Sequence, residues 1–107
     1  MSLRPALALA ALALAVPATA LAAGTRTVSV KDNVFVSKSI TVSRGTAVKW
    51  VWRGKHIHNV TVVRGPVKFH SGTKKTGTFT RTFTKAGTYK LLCTVHAPDM
   101  KMTVTVR

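Results

Sequence analysis

The chain is predicted to fold as an all-β sandwich or barrel of about seven strands, preceded by a cleaved leader. Three observations support this. Beyond residue 23, β-branched and polar residues alternate in short runs, glycines separate the runs, and no stretch repeats with the period of a helix. Short strands at this spacing, with no helix between them, are typical of an antiparallel sandwich or barrel.

The first 22 residues have the organisation of a secretory signal. Arg4 supplies a positive charge, residues 6–16 are an uninterrupted run of Ala, Leu and Val, and Pro17 interrupts the run. Small residues follow at the positions that a signal peptidase recognises, so cleavage is expected after Ala22. A retained membrane anchor is the alternative, because the whole apolar run is borderline in length. The organisation favours export, to the periplasm or the extracellular space.

Residues 1–22 are therefore assigned to the signal peptide and residues 23–107 to one domain. Residues 64–77 lack alternation and are rich in Gly, Lys and Thr, so we expect a long exposed connection there, with at most one short edge strand. The predicted strands are residues 27–30, 39–43, 48–52, 59–63, 78–83, 89–95 and 102–107.

The charge is strongly unbalanced. The chain has 17 Lys and Arg against 2 acidic residues, for a net charge of +15, and loss of Arg4 with the leader leaves +14. Asp32 and Asp99 are the two acids, and the basic residues are dispersed along the domain. Such a charge suits an acidic protein partner or an anionic cell envelope, whereas export argues against nucleic acid.

Cys93 is the only cysteine, so the chain cannot form an internal disulfide. Dimerisation through this thiol is one alternative in an oxidising compartment. Strand parity places Cys93 on the same face as Tyr89 and Leu91, and we expect that face to be the inner one. The thiol would then lie at the inner end of a strand, where the chain turns.

The segment from Cys93 to Met100 places a thiolate, the imidazole of His96 and a thioether on one short loop. These are ligands for an ion that cycles between Cu(I) and Cu(II), and His58 offers a second imidazole. A zinc site would more often use additional cysteines or histidines in close spacing, and the chain has no C-x-x-C pair. The pattern predicts one type 1 copper bound by His58, Cys93, His96 and Met100.

Three further residues have side chains that can bind copper. Met102 could serve as the axial ligand in place of Met100, but its parity matches that of the core-facing Val104. His56 and His70 are expected to be exposed to solvent rather than to bind this copper.

The domain resembles the cupredoxin family, particularly its small plastocyanin- and amicyanin-like members. The resemblance implies a Greek-key sandwich with copper near one end, and electron exchange through His96 beside an apolar patch that includes Ala97 and Pro98. It also implies that Asn59 ties the two ligand segments together near Thr94. The connection from His58 to Cys93 is short for the family, so a strand of larger members is expected to be missing. The matching segments are residues 32–35, 40–42, 45–50, 77–79, 86–89 and 100–106.

These observations predict an exported, monomeric electron carrier whose redox partner, a cytochrome or an oxidase or reductase, has an acidic docking surface. A copper carrier or resistance protein is the first alternative, although the chain has only 3 methionines for an open site. A surface-binding β-sandwich without metal is the second. Catalysis is not expected, because a copper enzyme needs an open coordination position or a second copper cluster, and the chain has only 4 histidines.

Overall fold

The computed structural model describes residues 24–107, and the predicted leader over residues 1–22 lies outside them. The described part is all-β, with no helix, and so no helix capable of crossing a membrane occurs in residues 24–107. Its strands are β1 (Thr25–Lys31), β2 (Val34–Val36), β3 (Ser39–Val42), β4 (Thr46–Trp52), β5 (Thr61–Arg64), β6 (Thr78–Phe83), β7 (Gly87–Leu92) and β8 (Lys101–Val106).

The described residues contain eight strands, one more than the sequence predicted. The additional strand is β2, in which only Phe35 is buried between exposed Val34 and Val36. Three residues are too few to display an alternating pattern against the surrounding sequence. Their pairing with β1 through a two-residue turn at Asp32 and Asn33 makes them a strand.

The strands form two four-stranded sheets, which confirms the predicted sandwich. One sheet has the order β2-β1-β4-β6 and the other the order β3-β8-β7-β5. The expected antiparallel arrangement holds for four of the six strand pairs, whereas β1 pairs with β4 and β3 with β8 in parallel. Alternation shows which face of a strand is buried but carries no information on the direction of its neighbour.

Both sheets contribute to one hydrophobic core. Trp50 of β4 packs near Phe83 of β6, with ring centroids 6.3 Å apart, and Phe83 lies edge-on to Tyr89 of β7 at 4.9 Å. Tyr89 and Leu91 are each 1% exposed and Cys93 is 0% exposed, so the predicted inner face of this segment is confirmed. The core therefore extends to the thiol at the end of β7.

The predicted connection over residues 64–77 contains no strand beyond Arg64, the last residue of β5, but it is less exposed than predicted. Phe69 packs edge-on against Phe83, with centroids 5.5 Å apart, and its carbonyl accepts a hydrogen bond from the Val62 N–H. Ser71 is only 5% exposed, and its hydroxyl accepts a hydrogen bond from the Val60 N–H at 2.9 Å. Isolated contacts of this kind cover the edge of β5 without any periodic sequence signal.

Candidate metal centre

Three of the predicted ligands lie together at one end of the sandwich. The Cys93 sulfur is 3.9 Å from Nδ1 of His58 and 3.6 Å from Nδ1 of His96. The two imidazole rings have centroids 4.9 Å apart, and the three donor atoms lie within 4.8 Å of one another. The structure thus brings together two segments that are 35 residues apart.

The chemistry of these donors fits copper. His58 and Cys93 are fully buried, while His96 is half-buried and reaches the surface. One sulfur and two nitrogens, with no carboxylate among the three, are the donors of a trigonal copper–thiolate site. The burial excludes bulk water from two of the donors, and the partial exposure of His96 gives the site one side that faces solvent.

Backbone hydrogen bonds hold the loop between β7 and β8 in a compact shape. The Cys93 N–H donates to the Met100 carbonyl at 2.9 Å, which closes the loop at its base. Within it, the His96 N–H donates to the Cys93 carbonyl, and both Asp99 and Met100 donate to the His96 carbonyl. These bonds fix the position of the half-buried His96 relative to the buried thiol.

The two candidate axial methionines have different surroundings. Met100 is fully buried in the ligand loop, directly before β8. Met102 is buried within β8, and its sulfur accepts a hydrogen bond from the indole N–H of Trp50 at 3.4 Å. The sulfur of Met102 is therefore engaged in the core, as its strand parity predicts.

The other ligand segment is anchored from several directions. The backbone of His58 exchanges two hydrogen bonds with Lys74, of 2.9 and 3.0 Å, and its carbonyl also accepts from the Trp52 indole N–H at 3.2 Å. The Lys74 ammonium lies over the Trp52 ring, 4.9 Å from its centroid. Lys74 belongs to the irregular connection, where no sequence pattern indicates its contact with His58.

Asn59 joins the two ligand segments, as the family resemblance implied. Its side-chain amide donates to the Thr94 hydroxyl at 2.8 Å, and its carbonyl oxygen accepts the Thr94 N–H at 3.1 Å. The same side chain also donates to Thr73 and accepts from Thr61. Asn59 is 4% exposed, so these four bonds satisfy a buried amide group from within the protein.

Asp32, like Lys74, contacts His58 and was not expected from the sequence to take part in the site. One of its oxygens lies 3.1 Å from Nε2 of His58, on the side of the ring opposite the thiol. Backbone N–H groups of His56 and Lys55 also bond to the carboxylate, and with the His58 contact they hold its pKa well below the ordinary value. The available signal was its isolation, as one of two acids in a strongly basic chain.

The remaining histidines are at the surface, as predicted. The His56 side chain is 59% exposed and its ring centroid is 6.4 Å from that of His96, so it borders the site. His70 is exposed and lies in the irregular connection. Neither belongs to the group of donor atoms around Cys93.

A buried thiol with two imidazoles, at the end of a two-sheet β-sandwich, defines the class as a copper-binding β protein. A family model described as copper-binding proteins of the plastocyanin/azurin family matches residues 22–107. The chain therefore belongs to the plastocyanin/azurin family, the cupredoxins. No curated protein sequence matches it.

Several solved structures are similar to this one. An oxidised amicyanin variant is 29% identical, with a TM-score of 0.69, over 77% of this chain and 81% of that chain. A reduced Cu(I) form of another amicyanin variant, at pH 4, is 31% identical with a TM-score of 0.70, over 81% and 86%. A copper-containing nitrite reductase from Thermus scotoductus SA-01 is 30% identical with a TM-score of 0.72, over 88% of this chain but 25% of that chain.

The Asn59 link yields the first testable prediction. Asn59→Ala should lower the unfolding free energy of the metal-free protein by about 2–3 kcal/mol, because it removes all four bonds of a buried amide and leaves the Thr94 N–H without its partner. Thr61→Val is the matched control, since it removes one of the four bonds and should cost about 1 kcal/mol or less. Urea denaturation measures both values. Equal losses in the two variants would contradict the linking role of Asn59.

The surroundings of the two methionines yield the second testable prediction. If the thioether of Met100 is the axial ligand, Met100→Leu should raise the reduction potential, because a lost axial donor destabilises Cu(II) more than Cu(I). Met102→Leu should leave the potential nearly unchanged and lower stability by less than about 1.5 kcal/mol. Protein-film voltammetry gives the potentials. A larger change of potential in Met102→Leu would assign the axial role to Met102.

Proposed function

We propose that this protein is an exported, monomeric carrier of single electrons that uses one type 1 copper held by His58, Cys93, His96 and Met100. The observation that carries the proposal is the convergence of one buried thiol and two imidazole nitrogens within 4.8 Å. When bound, copper supplies a one-electron couple between Cu(I) and Cu(II). The similarity to amicyanin structures in oxidised and reduced forms supports this function.

The protein's contribution to electron transfer is a site that resists rearrangement. The backbone of His58 is bonded to Lys74, the ligand loop is closed between Cys93 and Met100, and Asn59 joins the two parts. These contacts hold the donors at nearly fixed positions, so little reorganisation accompanies a change of charge at the site.

His96 offers the route to a partner. It is the half-buried member of the donor group, whereas His58 and Cys93 are fully buried. The exposed residues next to it include Val95, which is 45% exposed, together with Ala97 and Pro98. An apolar surface around the ring edge suits brief contact with a redox protein, because it is easily desolvated and makes few long-lived polar bonds.

The alternatives are less well supported. A sandwich without metal does not agree with membership of a copper-binding family. A copper carrier would favour an open site, whereas two of the three grouped donors are fully buried. The nitrite reductase similarity covers only 25% of that protein, and the described residues hold one group of metal-binding side chains, so we propose a non-enzymatic role.

Charge indicates the kind of partner. Residues 24–107 include both acids, and the Asp32 carboxylate is bound to backbone N–H groups and to His58. The dispersed basic residues create a positive field over the domain, which suits a redox protein with an acidic docking surface, such as a cytochrome or an oxidase or reductase. Anionic components of the cell envelope would be attracted by the same field.

The third prediction tests the copper site itself. Wild-type protein loaded with Cu(II) should show the intense visible absorption of a copper–thiolate bond, and Cys93→Ser should abolish it because an alcohol cannot replace the thiolate. Visible and electron paramagnetic resonance spectra, recorded on the leaderless chain, check this. His70→Ala is the control and should keep the colour. Copper bound without colour in the wild type would contradict a type 1 site.

The fourth prediction concerns the charge. Electron exchange with an acidic cytochrome should be fast at low salt and should slow steeply as salt rises, because the Debye length is only about 10 Å at 0.1 M. Single substitutions such as Lys38→Ala should have small effects, since the basic residues are dispersed. Stopped-flow rates with one acidic and one basic cytochrome, over a salt series, measure this. Equal, salt-independent rates with both would contradict electrostatic steering.

A further inference from the structure

The ring of His58 has a different partner at each nitrogen. Nδ1 faces the Cys93 sulfur, and Nε2 lies 3.1 Å from an oxygen of Asp32. His58 is 0% exposed, so water does not compete for either nitrogen. A neutral imidazole carries its proton on one nitrogen only, and the partners of the ring decide which one.

The Asp32 carboxylate acts as an acceptor in this contact. Both of its oxygens accept the Lys55 N–H, at 2.9 and 2.8 Å, and Oδ1 also accepts the His56 N–H at 2.9 Å. Backbone N–H groups cannot accept, so these contacts select the ionised carboxylate. An ionised carboxylate has no proton to give, and therefore Nε2 of His58 must be the donor. The lone pair on Nδ1 is then free and directed at the metal site.

The local fold holds the Asp32 carboxylate next to His58. Asp32 lies in the two-residue turn between β1 and β2, where Asn33 adopts a φ of 70°, a conformation that asparagine tolerates. Across from it, Gly54 leaves the space that the carboxylate occupies, since a Cβ there would collide with Oδ1 of Asp32. Arg53 fixes the same segment through its N–H, which donates to the Val30 carbonyl at 2.8 Å.

We propose that Asp32 is a positioning residue that holds His58 in the Nε2-protonated tautomer and biases the copper centre toward Cu(II). The first part concerns the metal-free chain alone. The second part rests on the proposed copper function and follows from the charge, because a carboxylate behind the ring makes Nδ1 a stronger donor and favours the more positive ion. The ligand and its acid are 26 residues apart.

The effect should be measurable. Loss of the hydrogen-bonding partner of a metal-binding histidine typically weakens metal binding by about 10–100-fold. Asp32→Asn keeps the shape of the side chain and removes the charge, so we expect a loss of this size for Cu(II) and a smaller one for Cu(I). A tenfold difference between the two losses corresponds to a rise of about 59 mV in the one-electron reduction potential.

Two measurements test the proposal. Long-range ¹⁵N–¹H NMR of the metal-free protein should show a single Nε2-protonated His58 in the wild type and a mixture of tautomers in Asp32→Asn. Voltammetry of the copper-loaded proteins should show a higher potential in Asp32→Asn. Asp99→Asn is the matched control, because it makes the same change of charge at an exposed residue of the ligand loop. It should change neither the tautomer nor the potential to a comparable extent.

A second variant tests the same contact in case Asp32→Asn folds poorly. Gly54→Ala displaces the carboxylate without changing any charge and should also produce the tautomer mixture. A pure Nε2-protonated His58 in both variants would overturn the positioning role, and equal potentials in Asp32→Asn and Asp99→Asn would overturn the bias toward Cu(II). A wild-type protein that fails to bind copper would overturn the proposed function instead, whereas a tautomer shift in the variants would still support the positioning of His58.

Discussion

The pairing of β5 with β7 brings the two parts of the metal centre together. Thr61 lies opposite Leu92 in this antiparallel pair, and continuing the same register places Asn59 opposite Thr94. The hydrogen bonds between Asn59 and Thr94 therefore extend the sheet beyond its last regular pair. A slip of one residue would turn the side chains of one segment to the opposite face relative to the other and separate His58 from the thiol. The position of His58 relative to Cys93 thus depends on the register between β7 and the edge strand β5.

Copper bound at this centre would also add to the stability of a small domain. With 85 residues after the expected cleavage and one cysteine, the chain has no disulfide to supplement a core that buries about 60–65% of the unfolded surface. Copper that binds the folded chain and not the unfolded one would stabilise it in proportion to its affinity. The aromatic contacts among Trp50, Phe83 and Tyr89 join the two sheets within that core.

Electrostatics act on two length scales in this protein. At long range the net charge of +15 attracts negatively charged molecules, and salt weakens this attraction. At short range a single carboxylate, Asp32, contacts the buried ring of His58. A negative charge at this distance, partly shielded from solvent, acts on the metal site far more strongly than dispersed surface lysines do. The same chain can therefore attract acidic partners while keeping a locally negative environment behind one of its ligands.

The sequence alone determined the features that depend on local spacing. The Cys93, His96 and Met100 pattern predicted the ligand loop, and strand parity predicted that Cys93 faces inward and that Met102 belongs to the core. The tertiary structure decided what depends on contacts between distant segments. Four such features have no periodic pattern in the sequence. They are the strand β2, the two parallel pairs, the burial of Phe69 and Ser71, and the contact of Asp32 with His58. Alternation in the sequence indicates which side of a strand is buried, but it does not indicate which turn of the chain contacts Nε2 of His58. That contact arises only when the β1–β2 turn and the segment after β4 are folded against each other.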